Sequence, residues 1–169
     1  MAWAVLYFIT PVIVPLVWLR NRTTDPGTPS PGDVLMPQGV RLGMGVLGAG
    51  ILAVALFLFL APAAAQSLWP WDLTPLTARV VGGWFALPGS VGLSLAADSR
   101  WSAWRITLQS QLIGIALILL AVLRGWGDFH FDRPMTPVFL LGMTALLLGL
   151  LGLYRVFETR RRQGQEGTR

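Results

Sequence analysis

The sequence has no cysteine, no lysine and one histidine, and these absences remove several classes of chemistry. Without cysteine the chain has no disulfide, iron–sulfur cluster, thiolate metal site or thiol nucleophile. A single histidine, His130, excludes bis-histidine haem ligation and zinc sites built from several histidines. From this set of residues we expect no cofactor.

Charge is also absent from five long parts of the chain. Each part has at least 18 residues, so a helix of that length approaches the roughly 30 Å of a bilayer's hydrocarbon core. With a mean hydropathy of +0.61, the chain is too apolar for an ordinary water-soluble domain. The sequence therefore predicts an all-α, polytopic transmembrane helix bundle with five spans. The predicted spans are residues 2–19, 42–65, 80–97, 106–123 and 135–154.

The arginines between these spans predict the orientation. Ten of the thirteen lie in loop 20–41, in loop 98–105 or after residue 154, and three lie in the opposite segments. The arginine-rich side of a membrane protein is usually cytoplasmic, which places the N-terminus outside and the C-terminus in the cytoplasm. The predicted location is a bacterial inner membrane, with the lipid bilayer as partner and other membrane subunits or a second copy as further candidates. Because the arginines flank apolar spans, we expect no nucleic-acid partner.

Composition divides the chain into a membrane domain, residues 1–157, and a tail, residues 158–169. The tail is polar and rich in Gly, Gln and Arg, so we expect a disordered basic cytoplasmic segment. Loop 20–41 holds a run rich in Pro, Gly and Thr, which predicts a flexible cytoplasmic linker. The chain starts directly in an apolar stretch with its positive charge after it, the reverse of a secretory signal. We interpret that stretch as a first membrane helix, or as a start trimmed of its polar flank.

A glycine motif opens the second predicted span. Residues 43–48 match the dinucleotide-binding pattern G-x-G-x-x-G, but no strand precedes them and no acid follows about 20 residues later. Packing explains the small residues better, because Gly45, Ala49 and Ala53 recur every four residues. Such a stripe lets a second helix approach closely in a membrane.

The third predicted span is rich in Gly, Ser and Pro, and we expect it to lie centrally and to bend near Pro88. Gln109 and Gln111 are the only strongly polar side chains within the predicted spans. Interrupted helices near the midplane often mark transport sites. One alternative function is therefore a path for a small solute or lipid lined by Pro88, Ser90 and Gln111.

The external loop 124–134 holds the most site-like group of residues. In an extended chain Asp128, His130 and Asp132 would point to one side and hold a divalent cation. The opposing interpretation is that Arg124 and Arg133, which flank the group, neutralise both carboxylates.

The other external loop begins with two tryptophans, Trp69 and Trp71, which suit the headgroup zone of a bilayer. Asp72 and Arg79 follow, and we expect them to form a structural ion pair or, alternatively, a site for an anionic ligand. The stretch Trp69–Trp84 resembles a block found in multi-pass integral membrane proteins of bacteria whose activity is not established. The resemblance implies a bacterial membrane protein and assigns no functional residue.

The absence of charged side chains from the predicted spans also restricts the functions that the protein can have. Proton-coupled carriers and intramembrane proteases usually require ionisable side chains inside the bundle, and the predicted spans contain none. The leading hypothesis is a non-catalytic multi-pass protein that serves as a structural or accessory component of a membrane assembly. The alternatives are the transporter that uses the third span and divalent-metal binding on loop 124–134.

Overall fold

Helices account for all the regular structure in the residues that the computed structural model describes, which are 2–21, 23–24, 27–29 and 33–166. Four of the helices are long and apolar enough to cross a membrane, namely α2, α4, α5 and α6. The chain is therefore a helical membrane protein with four candidate spans. In chain order the helices are α1 (Ala2–Asn21), α2 (Gln38–Leu60), α3 (Pro62–Leu68), α4 (Pro75–Ala97), α5 (Trp101–Arg124) and α6 (Met135–Glu166), with a 3-10 turn at Trp126–Asp128.

The second predicted span is broken near its C-terminal end. Helix α2 stops at Leu60, and Pro62 begins the separate seven-residue helix α3. Proline has no N–H to donate to a carbonyl one turn earlier and disfavours helical geometry in the residue before it. The intervening Ala61 accordingly leaves the helical region, with φ −123° and ψ 55°.

Helix α4 starts with a reciprocal cap. The Thr74 hydroxyl accepts from the Thr77 N–H at 3.1 Å, and the Thr77 hydroxyl accepts from the Thr74 N–H at 2.7 Å. Pro75 occupies the first helical position, where a missing N–H costs nothing. The helix then continues through Pro88 to Ala97.

Helices α2 and α4 pack with their backbones in contact. A Cβ atom on Gly48 would lie 2.8 Å from the carbonyl oxygen of Gly89 and 2.9 Å from the amide nitrogen of Leu93. A Cβ atom on Gly82 would lie 2.8 Å from the carbonyl oxygen of Ala55. Real Cβ atoms do not approach other atoms so closely, so glycine is required at both positions.

This interface follows a different stripe from the predicted one. Gly45 does face α4, because a Cβ atom there would lie 3.2 Å from an alanine side chain of that helix. Ala49 and Ala53 are exposed, however, while Gly48 and Ala55 are buried. A strict four-residue spacing drifts about 40° around the helix at each step. Later members of the predicted stripe therefore leave the face that contacts α4.

Helices α5 and α6 pack through large side chains. Leu108 and Ile115 of α5 and Leu150 of α6 belong to one buried cluster. At one end of the pair the Trp101 ring lies 5.5 Å from the Phe157 ring, centroid to centroid. The α5–α6 pair thus relies on ordinary apolar packing.

The second half of loop 20–41 is anchored, which corrects the prediction of a flexible linker for residues 33–41. Met36 is buried, and its N–H donates to the carbonyl of Ser99 at 2.8 Å. The Asp33 carboxylate accepts from the Ser102 hydroxyl at 2.6 Å. Apolar Met36 and acidic Asp33 thus fix the segment to the α4–α5 turn. Residues 22, 25–26 and 30–32 of the predicted linker lie outside the described residues.

Helix α6 continues to Glu166, so the expectation of disorder from residue 158 is wrong as far as residue 166. Glu158 holds this extension in place through pairs with Arg161 at 2.7 Å and Arg162 at 3.6 Å, one helical turn away. It also pairs with Arg105 of α5 at 3.2 Å. Residues 167–169 of the predicted tail lie outside the described part.

Candidate functional site

Two loops meet at one end of the bundle. We call residues 69–74 the tryptophan loop and residues 125–134 the histidine loop. The His130 N–H donates to the carbonyl of Pro70 at 2.7 Å, and the Arg133 guanidinium donates to the carbonyl of Trp69 at 3.0 Å. These contacts attach the loop before α4 to the loop before α6.

Asp72 is the ionic centre of the two loops. Its Oδ1 accepts from Arg133 Nη2 at 2.8 Å and lies 3.0 Å from His130 Nε2. Although its side chain is 81% exposed, the hydrogen bonds from Arg133 and then His130 lower the pKa of Asp72. The carboxylate therefore stays ionised to lower pH than an ordinary aspartate.

The ion pair predicted between Asp72 and Arg79 does not form. Arg79 Nε donates instead to the carbonyl of Phe59 at 3.4 Å. The last carbonyls of a helix lack helical donors and carry partial negative charge, so the C-terminal end of α2 attracts this cation. Asp72 finds its arginine in the histidine loop, 61 residues further along the chain.

Aromatic rings surround the meeting point of the loops. Trp71 lies 5.6 Å from Phe129 and 5.4 Å from Phe139, centroid to centroid. Trp69 is buried behind them, 5.3 Å from Trp71 and 5.9 Å from Phe85. Edge-to-face contacts of this kind stabilise the loops beyond simple burial of apolar area.

An open cleft of about 650 Å³ lies against these loops, and we call it the aromatic cleft. One side is formed by the last turns of α5 and the other by side chains of both loops and of α6. It is lined by Trp71, Asp72, Ile118, Ala121, Val122, Gly125, Gly127, Asp128, Phe129, His130 and Phe139.

The residues of the predicted metal site lie near this cleft without forming a cluster. Across the described ranges, no three His, Cys, Asp or Glu side chains group as a metal ion requires. Asp128 belongs to the 3-10 turn, His130 contacts Asp72, and Asp132 is exposed in a turn. The predicted convergence assumed an extended chain, and turns at both ends of the segment remove that alternation.

The structure brings together two of the three residues of the predicted transport path. Pro88 and Gln111 line a cavity of about 40 Å³ between the long helices. That volume is close to the share of one water molecule in the liquid. Ser90 is exposed on α4, and its hydroxyl donates to the carbonyl of Ala86 at 2.8 Å.

At the opposite end, a buried carboxylate joins α5 to α6. The Glu158 side chain is only 8% exposed, and the Trp101 indole N–H donates to it at 3.4 Å. Together with its three arginine partners this group ties the ends of both helices. Sequence reasoning missed it by assigning Glu158 to a disordered tail. The available signal was the position of Glu158, which lies one helical turn before Arg161 and Arg162 at the end of an apolar run.

No protein-family model, curated protein or solved structure matches this chain. Function must therefore be argued from the geometry of its own residues. Over the described part of the chain, that geometry offers a cleft of about 650 Å³ with mixed polar and aromatic walls, a cleft of about 460 Å³ beside Arg41, an apolar groove of about 250 Å³ between α2 and α6, and extensive apolar outer faces.

Proposed function

We propose that this protein is a five-span, non-catalytic component of the bacterial inner membrane that serves a structural or accessory role in a membrane assembly. The four candidate spans account for most of the bundle, and α1 supplies the fifth. A helix of its 20 residues is about 30 Å long, which matches the hydrocarbon core of a bilayer.

The distribution of arginines supports an orientation with the N-terminus outside and the C-terminus in the cytoplasm. Arg100, Arg105 and Arg161 lie at the end of the bundle where segment 33–37 is anchored. The three arginines of the other set lie at the opposite end, in or beside the tryptophan and histidine loops. An excess of ten to three favours the first end as the cytoplasmic one.

The observation that carries the accessory role is the lack of polar space between the long helices. The cavity between the long helices measures about 40 Å³, and the charge-free stretches place no ionisable side chain beside it. A route for a solute requires polar groups and space at this depth. The outer surfaces are therefore the parts of the molecule available for a role in the membrane.

Some of those surfaces suit a further helix. Ala49 and Ala53 of α2 are exposed, and a Cβ atom on Gly50 would meet nothing within 4 Å. On α6, Gly149 and Gly152 are open in the same way. Small exposed residues let a neighbouring helix come close enough for van der Waals contact in lipid.

Cross-linking in native membranes tests the proposed assembly. Because the natural chain has no cysteine, Ala49→Cys creates a single reactive site on the small-residue face of α2. We expect a discrete oxidative or bifunctional cross-link to a partner or second copy, and co-purification of that species in mild detergent. Ile113→Cys, on an exposed large-residue face of α5, is the matched control and should give no such product. Persistent monomers that take up a solute in liposomes would contradict the proposal.

Topology is tested separately with impermeant maleimide on intact cells. Gly127→Cys should be labelled from outside, and Gly164→Cys only after lysis. An affinity tag before residue 1 should be accessible from outside if α1 spans the membrane. An inaccessible tag together with an internal Gly164→Cys would reduce the number of spans to four.

A further inference from the structure

The rim of the aromatic cleft carries one paired acid and one unpaired acid. Asp72, Asp128 and His130 line it, and Asp72 pairs with His130 and with Arg133, which does not line the cleft. Asp72 keeps its charge because hydrogen bonds from Arg133 and His130 lower its pKa. The Asp128 carboxylate makes no ion pair or side-chain hydrogen bond with any residue in the described ranges. A ligand with a positive group fits this rim best.

The wall beside these acids is aromatic. Trp71, Phe129 and Phe139 all line the cleft, and their ring centroids lie 5.4 to 6.3 Å apart. Aromatic rings attract ammonium groups through the negative potential of their faces, and they do so for primary and quaternary amines alike. Acid and aromatic groups together therefore select an organic cation over an inorganic anion.

The floor of the cleft is apolar and lies closer to the membrane interior than the rim does. Ile118, Ala121 and Val122 form it, and all three belong to the charge-free stretch of α5. Ile118 is exposed, so it faces lipid in a membrane. The polar rim, in contrast, lies on loops beyond the helix ends, where lipid headgroups reside. A ligand that fills the cleft is therefore cationic at one end and apolar at the other.

We infer that the aromatic cleft binds the ammonium headgroup of a membrane lipid, with the upper part of its acyl chains against the floor formed by α5. The ammonium group lies between Asp128 and the aromatic wall. Anionic lipids without an ammonium group lack the charge that this rim selects. A soluble amine can bind the same rim, but it has no apolar chain to contact the floor and therefore gains no affinity from it.

Native mass spectrometry of the intact protein in detergent tests the inference. The probes are phosphatidylethanolamine and phosphatidylglycerol with identical dioleoyl chains, so that only the headgroup differs. We expect about three- to thirtyfold tighter binding of phosphatidylethanolamine, the combined size of one exposed charge pair and one cation–π contact. Asp128→Asn should reduce this preference, because it removes the charge pair and leaves the cation–π contact. Asp132→Asn removes an exposed acid four residues away that does not line the cleft, and it should leave the preference unchanged.

Several outcomes would overturn the inference. Equal retention of the two lipids by the natural protein is one, and an equal loss of preference in both asparagine variants is another. Free ethanolamine that competes as well as the lipid would assign the cleft to a soluble amine. Finally, a photo-cross-linking amino acid at Ile118 should give lipid adducts in native membranes, whereas a protein adduct of discrete mass would assign the cleft to a protein partner.

Discussion

The α2–α4 pair and the α5–α6 pair are both antiparallel helical hairpins, and they are held together by different kinds of contact. In the first pair glycines bring backbone against backbone, so that a single Cβ atom on Gly48 has no room. In the second, Leu108, Ile115 and Leu150 interlock along the helices, and Glu158 joins the helix ends through arginines.

This difference predicts two kinds of sensitivity to substitution. A backbone contact has no flexible atom that can move aside, so added volume forces the whole α2–α4 pair apart. The side chains that hold α5 to α6 can adopt other rotamers or reach water, so the loss of one contact disturbs only its neighbours. Losses of global stability are measured as changes in the free energy of unfolding in detergent.

The largest effect should come from adding volume at the glycine interface. Gly48→Leu should destabilise the protein by more than the about 1–3 kcal/mol that an added methylene usually costs, because the nearest atoms belong to the backbone of α4. The matched control is Gly50→Leu, two residues away, where a Cβ atom meets nothing within 4 Å. If both variants unfold alike under denaturant, the α2–α4 interface is not the one described.

Removing the buried acid should have the next largest effect. Glu158→Ala deletes the hydrogen-bond acceptor of Trp101 and Arg161 and the ion-pair partner of Arg105, and we expect a loss of about 1–3 kcal/mol. The partly exposed arginines can turn to water, which keeps the loss below that of a fully buried unpaired charge. Glu166→Ala removes an exposed acid of the same helix and should be neutral. A neutral Glu158→Ala variant would show that apolar packing alone holds α5 to α6.

A smaller effect is expected from the single polar contact between these helices within the predicted spans. Gln109 Nε2 donates to the Tyr154 hydroxyl at 2.6 Å. Interhelical hydrogen bonds in membranes average about 0.6 kcal/mol, so Gln109→Leu and Tyr154→Phe should each cost about that much. In a double-mutant cycle the two losses should not add, because they remove the same bond. Full additivity would mean that the bond contributes nothing.

The smallest change in global stability should come from Asp72→Asn, because this carboxylate is exposed. Its effect should be local: faster amide hydrogen exchange in residues 69–74, with α5 and α6 unchanged. Asp132→Asn is the control and should leave that exchange rate unaltered. Protection that persists in Asp72→Asn would mean that the backbone bonds of His130 hold the loops without the ion pair.

Lowering the pH should reproduce the Asp72→Asn result in the natural protein. Because the folded-state pKa of Asp72 lies below its unfolded value, its contribution is complete above about pH 4 and is lost as pH falls through the lowered pKa. The protection factor of the tryptophan-loop amides, which corrects for the pH dependence of intrinsic exchange, should therefore fall only in that acidic range. A protection factor that already falls near neutral pH would point to a different titrating group.

The sequence predicts the long helices well, since missing charge over 18 or more residues leaves few alternatives in a membrane. It predicts partners poorly. Asp72 was assigned to Arg79, its neighbour along the chain, but it pairs with Arg133, which only the fold brings near. The packing stripe on α2 was assigned by spacing alone, although the position of α4 decides which glycines are covered. Disorder was inferred for residues 158–166 from composition, and the tertiary contact of Glu158 with Arg105 reverses that inference.

The anchored segment 33–37 has a consequence for how the protein is made. Asp33 contacts Ser102, 69 residues later, and Met36 contacts Ser99, so these bonds form only after the turn between α4 and α5 has been synthesised. By that stage α2, α3 and α4 have already been synthesised, whereas α5 has only begun, because Ser102 is its second residue, and α6 has not. The segment therefore closes the first hairpin at its arginine-flanked end while the second hairpin is still on the ribosome. Insertion can then proceed in two steps, one finished hairpin at a time.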